Sequence, residues 1–410
     1  MTSFETGAAV LGGLLVVGSL LSGLARRSML SLALLFVLAG FLLGPGAIGV
    51  LHFKPSSGWV TDLATVALIV ILFRDGLEAD AEMLQRHWHL PVRKLVVAMP
   101  ITAAIVAALA HWLVGLSWVE SLLLGALLSP TDPVLSSGVV TDERVPRVIR
   151  HSLNIESGLN DGLALPAVLA FAAALDTHTG HFVWWRFLLQ DIGFGLVFGI
   201  ACGLVGSLLM PREPAAAATG GDGAIPAHQR ALYGLGLAFA TYGLTVLPPH
   251  GNGFIGVFVA AIVVGVRRPD LHEQFAAGAE ELVEVVKLGI FTVFGSLLTV
   301  HALFSDGWAA VAVVAGTFLI ARPAGVFVAL AGTSIDSASK AFMAWFGPKG
   351  VATMAFSLLV LSRQIEAGQR IFDIAALAVF ASILVHGLSD TPGTNWIARR
   401  DSAAEQVVHD

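Results

Sequence analysis

Along its 410 residues the chain alternates long apolar stretches with short polar interruptions. A transmembrane helix needs roughly 20 mainly apolar residues to cross the hydrocarbon layer, and by that measure the pattern predicts about thirteen spans. They fall approximately at 6–24, 29–50, 59–78, 91–115, 118–140, 152–175, 187–210, 230–247, 253–267, 281–303, 307–331, 340–362 and 371–390. Two of them read as interrupted. The fifth contains SPTDP, where Pro130 and Pro133 bracket Thr131 and Asp132. The twelfth contains FGPKG, where Gly347, Pro348 and Gly350 surround Lys349. Proline removes a backbone donor and frees carbonyls, and unwound backbone at membrane depth is tolerated only inside protein or beside a hydrated cavity. The interrupted spans lie seven apart, an offset that maps the first six spans onto the last six with inverted orientation. The predicted architecture is therefore an all-α polytopic membrane protein in one transmembrane domain, 1–410. Within it, a first repeat at about 1–175 and a second at about 230–390 are joined by a span and loop at 187–229, and a short tail follows at 391–410. Paired interrupted helices in matching positions of two halves point to a binding site within the membrane.

Composition agrees with this pattern. With 56% hydrophobic and only 13% charged residues, the chain cannot be divided into a core and a wettable surface. The first apolar stretch lacks a positive leading segment and is followed by Arg26 and Arg27, so it reads as a span, not as a cleaved signal. With the N-terminus outside, the inside segments collect fifteen of the 23 Lys and Arg residues and the outside segments four. Cytoplasmic loops retain positive charge, so the expected topology is N-out and C-in. The expected location is the bacterial inner (cell) membrane. The segment 211–229, rich in Pro, Ala and Gly, reads as a flexible linker. The single cysteine, Cys202, lies in an apolar run, which excludes an intrachain disulfide framework.

Chemistry is sought where polar groups enter the apolar pattern, since an intramembrane charge costs a few kcal/mol or more unless it is paired or hydrated. The sixth span opens with NIESGLNDGLALP. On a helix, Ser157 lies three residues from Asn160 and four from Asp161, so the three share a face. A hard monovalent cation is held by oxygen ligands, and this face offers a carboxylate, an amide and a hydroxyl, while the broken fifth span adds carbonyls, Asp132 and the Thr131 hydroxyl. Asp161 falls some ten residues into the span, about 15 Å by helical rise, beyond the reach of a helix cap. Half-helix ends present dipole poles, and Asp132 and Lys349 are candidates to offset them. Arg322, deep in the eleventh span, needs a partner, and Glu156 is the acid left once Asp161 is assigned to the ion.

Taken together, SPTDP, ESGLND, ARP in the eleventh span and FGPKG resemble the sodium/proton exchangers of the cation/proton antiporter-1 branch, over nearly the whole chain. The resemblance implies thirteen spans in two inverted six-helix repeats, crossed discontinuous helices at spans five and twelve, and a homodimer. It places the shared cation and proton carboxylate at Asp161, with Asn160, Ser157 and Thr131 beside it, Na⁺ held by Asp161, Ser157 and Thr131, and a structural ion pair at Glu156 and Arg322. An acid on the cation route corresponds to Asp75 in LFRDGLEAD; Arg74 beside it and Lys349 both depart from the family pattern. The implied activity is exchange of Na⁺, with Li⁺ or K⁺ as alternatives, for H⁺, with the two ions competing for Asp161. With Asn160 in place of a second acid, the expected stoichiometry is one for one and electroneutral. No cofactor, nucleic acid or enzymatic reaction is expected; the partners are the transported ions, membrane lipid and a second copy of the chain. A Na⁺-coupled solute symporter is the alternative reading, because broken helices and inverted repeats occur there too.

Overall fold

The computed structural model describes residues 4–25, 32–54, 57–78, 89–132, 137–176, 182–211, 226–247, 250–363 and 365–409. Every regular element among these residues is helical. Apart from the short helices Ser137–Thr141 and Val300–Leu303, they are in chain order α1 (Phe4–Ala25), α2 (Leu32–Leu43), α3 (Gly58–Leu77), α4 (His89–Val114), α5 (Trp118–Leu128), α6 (Arg147–Leu175) and α7 (Trp184–Leu209). Then come α8 (Ala227–Val246), α9 (Gly253–Arg267), α10 (Pro269–Ser296), α11 (Gly307–Ala329), α12 (Ser337–Trp345), α13 (Val351–Ser362) and α14 (Gly368–His409). Five of the helices are long and apolar enough to cross a membrane on their own. Several boundaries shift: α2 ends at Leu43 and α10 at Ser296, ahead of the predicted span ends. α6 begins at Arg147 and α10 at Pro269, each ahead of the apolar stretch, because amphipathic helical turns carry no continuous hydrophobic run. The segment predicted as a tail continues as helix in α14, through Pro392.

Local sequence fixes several helix starts. Ser117 and Glu120 form a reciprocal cap at α5, with Ser117 N–H donating to Glu120 Oε2 at 2.8 Å and Glu120 N–H to Ser117 Oγ at 3.4 Å. Asn252 Oδ1 accepts from Phe254 N and Ile255 N at α9. Helices α2, α3, α7, α8, α9 and α10 pack on one another, and α4, α5, α6, α11, α13 and α14 form a second group. The groups meet chiefly at α3, which contacts both α6 and α13, and also where α10 packs against α13 and α9 against α6.

Beside a buried apolar core, several charged side chains are buried and many large apolar ones are exposed, unlike in a soluble protein. Lys94 and Lys349 are 0% exposed, whereas Trp112 and Leu20 are 72% and 78% exposed. Apolar side chains face outward as lipid requires, and charge is confined where other protein groups can satisfy it. The positive-charge pattern is corrected here at three positions. Lys94, Arg230 and Arg268, counted with the inside loops, are all buried. Arg268 donates to the carbonyls of Ser207 and Met210 at the end of α7, and such terminal acceptors hold a basic side chain.

Candidate cation site

The two interrupted segments cross. After α5 the chain is unwound through Thr131 and Asp132, and between α12 and α13 through residues 346–350. Asp132 N–H donates to Pro348 O at 2.8 Å, and Asp132 Oδ2 accepts from Val351 N at 3.0 Å, at the positive start of α13. In the reverse direction, Lys349 Nζ donates to Pro130 O at 2.9 Å and Ser129 O at 3.4 Å, at the negative end of α5. Lys349 N–H donates to Ser382 Oγ at 2.7 Å. Asp132 and Lys349 thus each sit at a pole supplied by the other's segment. Pro133, the second proline expected to break the fifth span, lies outside the described residues.

Against this crossing stands the polar face of α6. Ser157 Oγ donates to Thr131 O at 3.0 Å; Asn160 Nδ2 donates to the same carbonyl at 3.0 Å and to Thr131 Oγ1 at 2.8 Å. With its amide nitrogen so engaged, Asn160 turns its oxygen away from Thr131. Asn160 Oδ1 and Asp161 Oδ1 are buried with no hydrogen-bond donor among the described residues. A buried acceptor without a partner is costly, and a carboxylate at 5% exposure must be neutralised by a proton or a cation. Oxygen-only groups left free in this way fit a hard monovalent cation.

Glu156, one residue from Ser157, is gripped from two sides. Arg322 Nη1 donates to Glu156 Oε1 at 2.8 Å, the partnership expected from the sequence. Lys94 Nζ donates to Glu156 Oε2 at 2.7 Å and to Ser152 O at 2.9 Å. Sequence reading missed Lys94 by grouping it with loop charges, although it already lay inside the fourth predicted span; its depth was the available signal. Both cations sit at π-helical turns, Lys94 opening Lys94–Ala98 and Arg322 following Thr317–Ala321. Such turns re-aim side chains and recur at functional sites.

Asp75, expected on the cation route, is buried, and Arg74 lies 3.0 Å from its Oδ1. Two cavities approach α6 from opposite ends. One, of about 410 Å³, is lined by Arg74, Glu78, Ser157, Gly158, Glu284 and Lys287 among others. The other, of about 330 Å³, touches α6 at Leu169 and Ala173 and is lined by Arg186, Asp191 and Arg363. Leu165 and Val168, between them on α6, are 0% exposed. The Ser157 end of the polar face therefore opens to the first cavity, and packed apolar side chains separate it from the second.

Unwound helices crossing at buried oxygens, with charged side chains buried beside them, are the arrangement of an integral membrane transporter. Residues 13–396 match the family model described as sodium/hydrogen exchanger, transmembrane, and the chain belongs to that family of cation/proton antiporters. Among curated relatives, it is 24% identical over 409 residues to the K(+)/H(+) antiporter NhaP of Alkalimonas amylolytica, covering 97% of this chain and 68% of that protein. It is 24% identical over 392 residues to the K(+)/H(+) antiporter NhaP2 of Shewanella baltica (strain OS223), covering 93% of this chain and 65% of the relative. The chain thus spans about two thirds of the length of these relatives. The solved structure of the sodium proton antiporter MjNhaP1 from Methanocaldococcus jannaschii at pH 8 superposes with a TM-score of 0.77 at 19% identity, covering 96% of this chain and 97% of that one. That likeness shows a shared fold.

Proposed function

We propose that this chain exchanges Na⁺ for H⁺ across the membrane by letting the two ions compete for Asp161. The observation that carries the reading is the pair of buried oxygens without a donor among the described residues, Asp161 Oδ1 and Asn160 Oδ1, on the α6 face whose Ser157 lines the larger cavity. Only a site neutralised by a proton or a cation can pass between access states, because an isolated carboxylate is too costly to bury. Thr131, held by Ser157 and Asn160, contributes oxygen to the cage, and Asp132 and Lys349 compensate the half-helix poles around it. Glu156 is held ionised and structural between Arg322 and Lys94, so Asp161 is the exchanging charge. With Asn160 beside it, the cycle carries one cation against one proton and no net charge.

The same reading takes the chain as thirteen spans in two inverted six-helix repeats, working as a homodimer with its N-terminus outside. The larger cavity then faces the cytoplasm. Rocking of the α4–α6 and α11–α14 group against the other helices would transfer access to the opposite cavity. Membership in an exchanger family favours exchange over solute symport.

Proteoliposomes carrying an internal pH dye, challenged in turn with Na⁺, Li⁺ and K⁺ with and without an imposed potential, test this. The K⁺ arm matters because two of the relatives are named as K(+)/H(+) antiporters. Cation-driven proton movement that is indifferent to potential and abolished by Asp161→Asn is the expected result. Exchange retained by Asp161→Asn would remove the site assignment.

A further inference from the structure

Arg74 and Asp75 are neighbours on α3. Adjacent helical residues point about 100° apart and do not ordinarily face each other, so contact between these side chains is not a by-product of helix geometry. Yet Arg74 Nε donates to Asp75 Oδ1 at 3.0 Å, and Arg74 Nη2 lies 3.0 Å from the same oxygen. Glu78, one turn further on, lies 3.6 Å from Arg74 Nε. Arg74 lines the 410 Å³ cavity and Asp75 does not; their side chains are 26% and 4% exposed. α6 approaches closely here: a Cβ at Gly158 would lie 3.2 Å from Glu78 Oε2 and 3.5 Å from Asp75 O. Gly158 is three residues from Asp161. The turn of α3 that packs against the Asp161 helix therefore carries a second buried carboxylate, with a guanidinium on it.

We propose that Arg74 is a resident counter-cation of Asp75, keeping that carboxylate from the transported monovalent cation and so setting the affinity of the site. The proposal rests on the exchange reading above. The guanidinium and the entering cation carry the same charge and draw on the same acceptor, so each weakens the hold of the other. Lys287, buried, lines the same cavity, while Glu78, Glu280 and Glu284 on the wall keep the cavity attractive to cations. Arg74 is a positioning residue that acts through Asp75.

The test is the apparent KM for Na⁺ and for K⁺, measured by proton movement in proteoliposomes for wild type, Arg74→Gln, Asp75→Asn and the double variant. Arg74→Gln lowers KM by roughly tenfold, equivalent to about 1.4 kcal/mol, with a smaller change in maximal rate. In the Asp75→Asn background the same substitution alters KM by less than about twofold, because its partner is gone. If Arg74→Gln does not accumulate as folded protein, Arg74→Lys supplies the reading. Its single ammonium loosens the two-nitrogen contact and lowers KM about twofold to threefold. An unchanged or raised KM in whichever variant is read, or an equal fall with and without Asp75, overturns the proposal. Wild-type protein with no Asp161-dependent exchange would instead overturn the exchange reading, so the two failures are distinct.

Discussion

The break after α5 and the break between α12 and α13 meet within hydrogen-bonding distance, yet they are held open by different means. In the first, proline at 130 leaves backbone acceptors, and the carbonyls of Ser129 and Pro130 are taken by Lys349. In the second, glycine leaves room. A Cβ at position 347 would lie 1.9 Å from Arg322 Nε, and one at position 350 would lie 2.1 Å from Asp132 Oδ2. One break presents polar backbone and the other makes space for charged side chains, and each receives its counter-charge from the other. The crossing is therefore a single unit, since either half alone would leave a helix pole uncompensated in a low-dielectric interior.

The largest expected effect comes from taking away the space. Arg322 is fixed by Glu156 and cannot retreat, so Gly347→Ala destabilises by about 3 kcal/mol or more, read as a fall in melting temperature in detergent or loss of a monodisperse peak. A wild-type melt would show that the second break has slack, and the contrast between proline and glycine would collapse. Next come the two counter-charges. Lys349→Met strips two buried carbonyls of their donor and costs about 2–3 kcal/mol, whereas Asp132→Asn keeps an acceptor for Val351 N–H and costs about 1 kcal/mol. Equal losses in the same melt would mean that charge, not hydrogen bonding, dominates at both poles.

The smallest effect lies at the far end of α12, where Asp336 Oδ1 accepts from Ala338 N at 2.9 Å and Ser339 N at 3.2 Å. Removing this cap by Asp336→Ala costs about 1 kcal/mol. The Ser339 hydroxyl holds the Asp336 carboxyl below the usual carboxylate range. A carboxyl with a depressed folded-state value stabilises fully above the unfolded value, about pH 4, and loses that contribution as pH falls through the depressed one. The gap between wild-type and Asp336→Ala melts should accordingly narrow below about pH 4. A gap that persists there would assign the effect to helix propensity and not to the cap.

Much of the site could be read in one dimension. The Ser157, Asn160 and Asp161 face follows from helical spacing, and the breaks follow from proline and glycine inside apolar runs. Arg322 could be matched to Glu156 because both were charges at depth with few alternatives. Lys94 escaped because a lysine at the start of an apolar stretch looks the same whether it snorkels to water or turns inward, and only the packing of α4 against α6 decides between these.

By itself, the sequence determined what depends on neighbours along the chain: where lipid-facing helices run, where they must unwind, and which polar residues share a turn. Beyond the Arg322–Glu156 pair, tertiary structure decided which charges meet. Lys94 reaches Glu156 across 62 residues, and Asp132 reaches Val351 across 219. Even Arg74 and Asp75, adjacent in sequence, meet only because the guanidinium folds back onto its neighbour at the cavity wall. Periodicity fixes direction around a helix axis, but which groups can neutralise one another is set by how the helices pack, and in a low-dielectric interior that pairing determines where a mobile cation can bind.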